Sequence, residues 1–140
     1  MSAMKKVIEI QNFKKRYGHK VVHRGINLEV NEGECLGLIG GSGSGKSVIC
    51  RSVIGLEKAD GGTVRVLGED ITNYSEDELI SIRKRVAYVF QGGALFDSMS
   101  VEENLAYPLL EHTKMSRQDI RKKIQETLLS FGLQGTEKIM

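Results

Sequence analysis

The chain of 140 residues contains no long apolar segment. A helix that spans a bilayer needs about 18 or more consecutive apolar residues, and no run in the sequence approaches that length. Residues 1–6 are followed at once by strand-like residues rather than by the apolar stretch of a signal segment. We therefore expect a chain that neither crosses a membrane nor is exported.

Cysteine and strong net charge are also scarce. Cys35 and Cys50 give little support for a disulfide or a metal site, and we expect both to be buried, reduced side chains. His19, His23 and His112 show no metal-ligand spacing and are assigned no role. The net charge is only +2 and no dense basic tract occurs, which argues against nucleic acid as a partner.

The most informative feature is a glycine-rich run that fits the phosphate-binding P-loop pattern. It consists of Gly40, Gly41, Ser42, Gly43, Ser44, Gly45, Lys46 and Ser47. Glycines tolerate unusual φ angles and bring no side chain, so that backbone N–H groups can converge on a polyphosphate. Lys46 can then reach the outer phosphates as a point charge, and the Ser47 hydroxyl can bind Mg²⁺.

The flanking segments agree with a P-loop. Residues 35–39 form a short apolar run that predicts a buried strand before the loop. Residues 48–54 predict a helix after it, ended by Gly55. The helix N-terminus would add its dipole to the anion site. A flexible Gly/Ser linker that matches by chance is the alternative interpretation, and we favour the nucleotide site.

Other segments complete the outline of the chain. We predict strands at residues 7–13, 20–30, 63–67 and 86–90, with polar turns at 14–19 and 68–70. Capping boxes predict three helix starts, at Ser75 with Glu78, Ser100 with Glu103, and Ser116 with Asp119. Pro108 is expected to kink or shorten the second of these helices, and Gly132 to end the third.

Together these features resemble the N-terminal part of an ABC-type ATPase, the nucleotide-binding subunit of an ABC transporter. Tyr17 occupies the place of the aromatic A-loop residue of that family, and the P-loop follows it. The segment 83–91 resembles the strand that ends in the Q-loop glutamine, here Gln91. Leu95-Phe96 and the stretch 99–104 resemble the family's sequence after the Q-loop.

The resemblance implies ATP and Mg²⁺ as cofactors and gives roles to individual residues. Tyr17 would stack on adenine, although it could be a simple turn aromatic. Gln91 would bind Mg²⁺ together with Ser47, orient the attacking water and sense the permease. Beyond Lys46 and Gln91 the chain offers no catalytic residue.

The implied fold class is α/β, with a P-loop NTPase core. We expect residues 1–34 to form mostly an antiparallel β subdomain, residues 35–91 the P-loop core up to the Q-loop, and residues 92–140 the start of a helical subdomain. By the same likeness, residues 35–39 would lie in the middle of a parallel sheet.

A narrower likeness concerns the ATPases of Mla/MCE-type phospholipid transporters, and it rests on residues 90–96 and 104–113. It implies a role in lipid transport across the cell envelope, at the cytoplasmic face of the inner membrane. The implied partners are an integral-membrane permease, a second copy of the ATPase and MCE-domain proteins. Leu95, Phe96, Tyr107 and Leu109 could border the permease groove or belong to the core.

Several motifs of the family do not occur in the sequence. It contains no Leu-Ser-Gly-Gly signature and no apolar run after Gln91 that ends in Asp-Glu, as the Walker B strand would. We expect a C-terminally truncated domain that alone binds nucleotide weakly and hydrolyses little or none. The alternatives are a non-catalytic nucleotide-binding or regulatory module and an ABC-type ATPase without a transport role. A simple nucleotide kinase would not need the β subdomain that carries Tyr17.

Overall fold

The computed structural model describes residues 5–140, which fall into two compact units. The first unit extends to Tyr88 and the second comprises Val89–Met140. The first unit contains the predicted site residues Tyr17 and 40–47, the predicted helix end at Gly55 and the predicted cap at Ser75. Gln91 and the helices opened by Ser100 and Ser116 belong to the second.

The first unit is built on a four-stranded antiparallel sheet with the order β2-β1-β3-β4. The strands are β1 (Lys6–Tyr17), β2 (Lys20–Asn31), β3 (Gly61–Val66) and β4 (Glu69–Asp70). Strand β1 runs four residues past its predicted end at Phe13, because residues 14–17 pair with β2 up to a tight turn at Gly18 (φ 56°). The predicted turn at 68–70 contains the short strand β4.

Two helices complete the first unit, α1 (Lys46–Val53) and α2 (Glu76–Arg83). Helix α1 ends where predicted, before Gly55 in the left-handed conformation (φ 68°). Helix α2 begins at the predicted capping box of Ser75 and Glu78. The core between sheet and helices comprises Ile10, Phe13, Ile49, Val53, Val64, Val66, Ile71, Leu79 and Ile82.

Two predicted strands are wrong. Residues 35–39 and 86–90 have no regular structure, and Ile39 and Val89 are almost fully exposed. A buried strand needs hydrogen-bonded neighbours and cover on both faces. No parallel strand pairing occurs within residues 5–140, and neither segment is a strand of the sheet that the structure describes. The expected burial of Cys35 and Cys50 is wrong as well, because Cys35 lies in the irregular segment and Cys50 on the outer face of α1.

The second unit is a helix pair, α3 (Val101–His112) and α4 (Arg117–Ser130). Helix α3 has the full capping box of Ser100 and Glu103, and it continues through Pro108 to His112, so the expected shortening does not occur. At α4, Ser116 accepts a hydrogen bond from the Asp119 amide as predicted, and Gly132 follows its end with φ 68°. Ile120, Ile124 and Leu128 of α4 pack against Leu105 and Leu109 of α3.

Candidate nucleotide-binding site

The P-loop connects the irregular segment before it to helix α1. Residues 40–44 are exposed, and Gly43 (φ 76°) and Gly45 (φ 93°) adopt the left-handed conformation that glycine permits. A Cβ on Gly41 or Gly43 would meet nothing within 4 Å. The backbone at Gly41 and Gly43 is therefore not covered by any neighbouring group.

Lys46, the first residue of α1, folds back over this loop. Its Nζ donates hydrogen bonds to the carbonyl oxygens of Gly40 (2.6 Å) and Gly41 (2.8 Å), and it lies 3.4 Å from Ser44 Oγ. A phosphate oxygen is a stronger, charge-assisted acceptor than a neutral carbonyl oxygen. The ammonium group is thus already located where a bound polyphosphate would take over its hydrogen bonds.

The N-terminus of α1 differs chemically from those of the other helices. Gly45 caps α1 without a side-chain hydrogen bond, and no acidic residue lies in its first turn. Ser75, Ser100 and Ser116 cap α2, α3 and α4 with their side chains, and each of these helices has acid in its first turn. The first backbone amides of α1 therefore remain available to a bound anion, which the helix dipole favours.

The donor set fits Mg²⁺ bound through phosphate rather than a protein-only metal site. Ser47 is exposed in the first turn of α1, where its hydroxyl is available as one oxygen ligand. Within residues 5–140 no cluster of three His, Cys, Asp or Glu side chains could hold a metal ion. Mg²⁺ commonly uses one or two protein ligands together with phosphate oxygens and water.

Tyr17 ends strand β1 and is half exposed. Burial and a hydrogen bond to the Glu57 carboxylate raise the pKa of its phenol. Lys15 Nζ lies 5.2 Å from the centre of the Tyr17 ring and 2.6 Å from Glu57 Oε1. Burial alone would raise the pKa of Glu57, but hydrogen bonds from Lys15 and Tyr17 outweigh it and lower that pKa. The ring is therefore fixed at its hydroxyl end while part of its face stays open.

A basic cavity lies beside the hairpin of β1 and β2. It has a volume of about 380 Å³ and is lined by Lys14, Lys15, Arg16, Val21, His23, Arg24 and Asp60. The basic side chains outnumber the single carboxylate, and His23 contacts the P-loop through Gly45. Such a concentration of positive charge raises the local concentration of anions.

Sequence reasoning missed the side chains that support these residues. His23, which received no role, lies with its Nε2 3.1 Å from the Gly45 carbonyl oxygen. Lys15 and Glu57 were not singled out, although they hold Tyr17. These contacts join residues far apart in the chain, and no local pattern reports them.

Gln91 lies in the second unit, in an exposed turn directly after residues 86–90. The site described above is made of first-unit residues alone. The metal and catalytic roles of Gln91 stay predictions.

Both the sequence and the fold of this chain match known proteins. The model of the ABC transporter family matches residues 23–139, which include the whole P-loop and Gln91. The chain belongs to the ABC transporter family. The expected resemblance to its ATP-binding domain is confirmed, as is the fold class.

Two curated relatives and one solved structure illustrate the match. The chain is 40% identical over 131 residues to the "Probable ribonucleotide transport ATP-binding protein mkl" of Mycobacterium leprae, covering 94% of this chain and 38% of that protein. It is 34% identical over 134 residues to the "Intermembrane phospholipid transport system ATP-binding protein MlaF" of Haemophilus influenzae, covering 96% and 51%. The chain thus spans about half or less of the length of these relatives.

The solved structure is the dimeric ATP-binding cassette MJ0796 in a post-hydrolysis state with ADP and Pi. The TM-score is 0.82 at 28% identity, and the match covers 94% of this chain and 61% of that chain. The similarity extends over both described units of this chain. No helix among residues 5–140 is long and apolar enough to cross a membrane.

Proposed function

We propose that this chain is the nucleotide-binding part of an ATPase subunit that drives an ABC transporter. The observation that supports this most is the P-loop, in which left-handed glycines, a helix start without a side-chain cap and the folded-back Lys46 occur together. Membership of the ABC transporter family supports the same conclusion. The ligand is ATP with Mg²⁺, and the cassette bound to ADP and Pi supports this choice.

Each residue of the loop has a definite task in this proposal. The backbone amide after Gly45 donates to a phosphate oxygen, and Lys46 exchanges the Gly40 and Gly41 carbonyls for the outer phosphates. Ser47 Oγ contributes one ligand to Mg²⁺, which neutralises phosphate charge when bound. Gln91 is the further ligand and water-orienting residue of the ATPase. Positioning and charge neutralisation of this kind supply most of the catalysis in phosphoryl transfer.

Tyr17 provides the base contact in the proposed site. Its half-exposed ring, fixed through Glu57, offers a flat face for adenine, and base stacking on an aromatic ring contributes about 1–3 kcal/mol. Replacement Tyr17→Ala should weaken ATP binding while leaving tripolyphosphate binding unchanged. Tyr17→Phe keeps the ring but loses the hydrogen bond to Glu57, and it should retain most of the affinity for ATP. Equal losses for both ligands in Tyr17→Ala would contradict the stacking role.

The proposed partners are a second copy of the ATPase and a membrane permease, at the cytoplasmic face of the inner membrane. The dimeric cassette among the structural relatives supports the second copy. The printed function of the relatives, transport, supports the permease. MCE-domain proteins are proposed as further partners on the basis of the Mla/MCE-like residues 90–96 and 104–113 alone.

Phospholipid is the proposed transported substrate. The relative named for intermembrane phospholipid transport supports it, whereas the relative named for ribonucleotide transport is more similar in sequence. The two candidate substrates can be distinguished in cells whose own copy of the protein carries Lys46→Ala. We expect a defect in the movement of labelled phospholipid between membranes, with unchanged uptake of labelled ribonucleotide. Reduced uptake of ribonucleotide with unchanged phospholipid movement would indicate that the transported substrate is a ribonucleotide.

A further inference from the structure

His23 connects the central sheet to the last glycine of the P-loop. Its side chain points inward from β2 and is only 8% exposed. The ring packs against Phe13, which is fully buried, with 5.7 Å between ring centroids and a tilt of 60°. Its Nε2 lies 3.1 Å from the carbonyl oxygen of Gly45. A core-anchored ring therefore ends in a polar contact with the phosphate-binding loop.

The Gly45 carbonyl is a constrained group. It also accepts hydrogen bonds from the amides of Val48 (2.9 Å) and Ile49 (3.2 Å), which begin helix α1. A Cβ on Gly45 would lie 2.6 Å from both His23 Cε1 and Val22 Cγ1. The loop is thus packed against β2 so closely that only glycine fits at this position.

The contact has a consequence for the amide of Lys46. The Gly45 carbonyl and the Lys46 N–H belong to one planar trans peptide and point in opposite directions. The His23 contact acts together with the hydrogen bonds from Val48 and Ile49 to fix the carbonyl, and it thereby also fixes the opposite direction of the Lys46 N–H. The carbonyl oxygen only accepts, so Nε2 must be the protonated ring nitrogen, an assignment that follows from the network.

We propose that His23 is a positioning residue that orients the Gly45–Lys46 peptide for phosphate binding. The proposal rests on the proposed nucleotide-binding function. In this proposal His23 contacts neither phosphate nor metal. It sets the direction of the Lys46 N–H, which donates to phosphate.

The test compares His23→Phe, which retains a packing ring but no donor, with His23→Gln, whose amide nitrogen can occupy the position of Nε2. Titration with tripolyphosphate should show binding about fivefold weaker in His23→Phe, the effect of one neutral hydrogen bond. Binding in His23→Gln should recover to near the wild-type affinity. His112→Phe, at the exposed end of α3, is the matched control and should bind as the wild type does.

A second readout needs no ligand. Hydrogen exchange of the Val48 and Ile49 amides should be faster in His23→Phe than in the wild type and in His23→Gln, because the shared carbonyl is less well held. Wild-type affinity and wild-type exchange in His23→Phe would overturn the proposal while leaving nucleotide binding intact. A wild-type protein that binds no tripolyphosphate would instead contradict the proposed function, together with the phosphate part of this inference.

Discussion

Lys15 Nζ lies 2.6 Å from Glu57 Oε1, and both side chains are largely buried, with 11% and 17% of their surface exposed. Lys15 also donates to the carbonyl oxygen of Lys58 at 2.7 Å. The pair joins strand β1 to the segment after α1, next to Tyr17. The same interaction thus stabilises the fold and fixes the aromatic ring proposed to bind adenine.

Loss of this ion pair should destabilise the first unit. In Glu57→Gln the Lys15 ammonium is left in a mostly buried position without its counter-charge, and we expect a loss of about 2 kcal/mol in the free energy of unfolding. Urea unfolding followed by circular dichroism measures it. The control is Glu29→Gln, which removes a similarly short (2.7 Å) but more exposed contact with Lys6 and should have a much smaller effect. Equal effects of the two changes would contradict the structural role of Lys15 and Glu57.

The glycines of the P-loop should differ in their tolerance of a methyl group. Gly45→Ala introduces a left-handed alanine and a clash with Val22 and His23, so we expect a loss of about 2 kcal/mol or more in stability without any ligand. Gly41→Ala meets nothing within 4 Å and should leave stability unchanged. Thermal unfolding of both variants checks the difference. A stable Gly45→Ala protein would show that the loop does not pack against β2.

Stability should decrease in acid. Hydrogen bonds from the Thr72 hydroxyl and amide lower the pKa of Asp70, and hydrogen bonds from Ser75 and Ser100 lower the pKa of Glu78 and Glu103. A carboxyl whose pKa is lowered by folding stabilises the protein above its ordinary pKa, about 4. This stabilisation is lost as the pH falls through the lowered value.

Urea unfolding between pH 6 and pH 2 measures this dependence. In Asp70→Asn the curve should be flatter, because one of the linked protons is removed, and the protein should be less stable at pH 6. An unchanged slope in Asp70→Asn would show that the hydrogen bonds with Thr72 do not contribute.

Asn104 should be essential for the loop before α3. Its Oδ1 accepts from the Phe96 amide at 2.8 Å, and its Nδ2 donates to the carbonyls of Phe96, Met99 and Ser100 at 3.0–3.1 Å. In Asn104→Asp a carboxylate without donors faces these carbonyls, and we expect a loss of about 2 kcal/mol in the stability of the second unit. Gln125→Glu, the same chemical change at an exposed position of α4, is the control and should be nearly neutral. Similar losses of stability in Asn104→Asp and Gln125→Glu would contradict the role of Asn104.

The sequence predicted those elements whose determinants are local. Helix α1, the capping residues Ser75 and Ser100, and the helix end at Gly55 depend on residues within about four positions of one another, and all are confirmed. The strands at 35–39 and 86–90 depend on hydrogen-bonded neighbours, and apolar composition alone could not supply them. The contact of His23 could not be predicted from a local pattern, because its partner Gly45 is 22 residues away in the chain.

The most direct test of the account is calorimetric titration of the protein with Mg-ATP, wild type against Lys46→Ala. Lys46 Nζ donates hydrogen bonds to two loop carbonyls, and in the proposed site it would donate to the outer phosphates instead. The matched control is Lys122→Ala, on the exposed face of α4. We predict saturable binding by the wild type and Lys122→Ala, and an affinity at least tenfold lower in Lys46→Ala, the factor that about 1.4 kcal/mol gives. Equal affinities of wild type and Lys46→Ala, or no binding by the wild type, would contradict it.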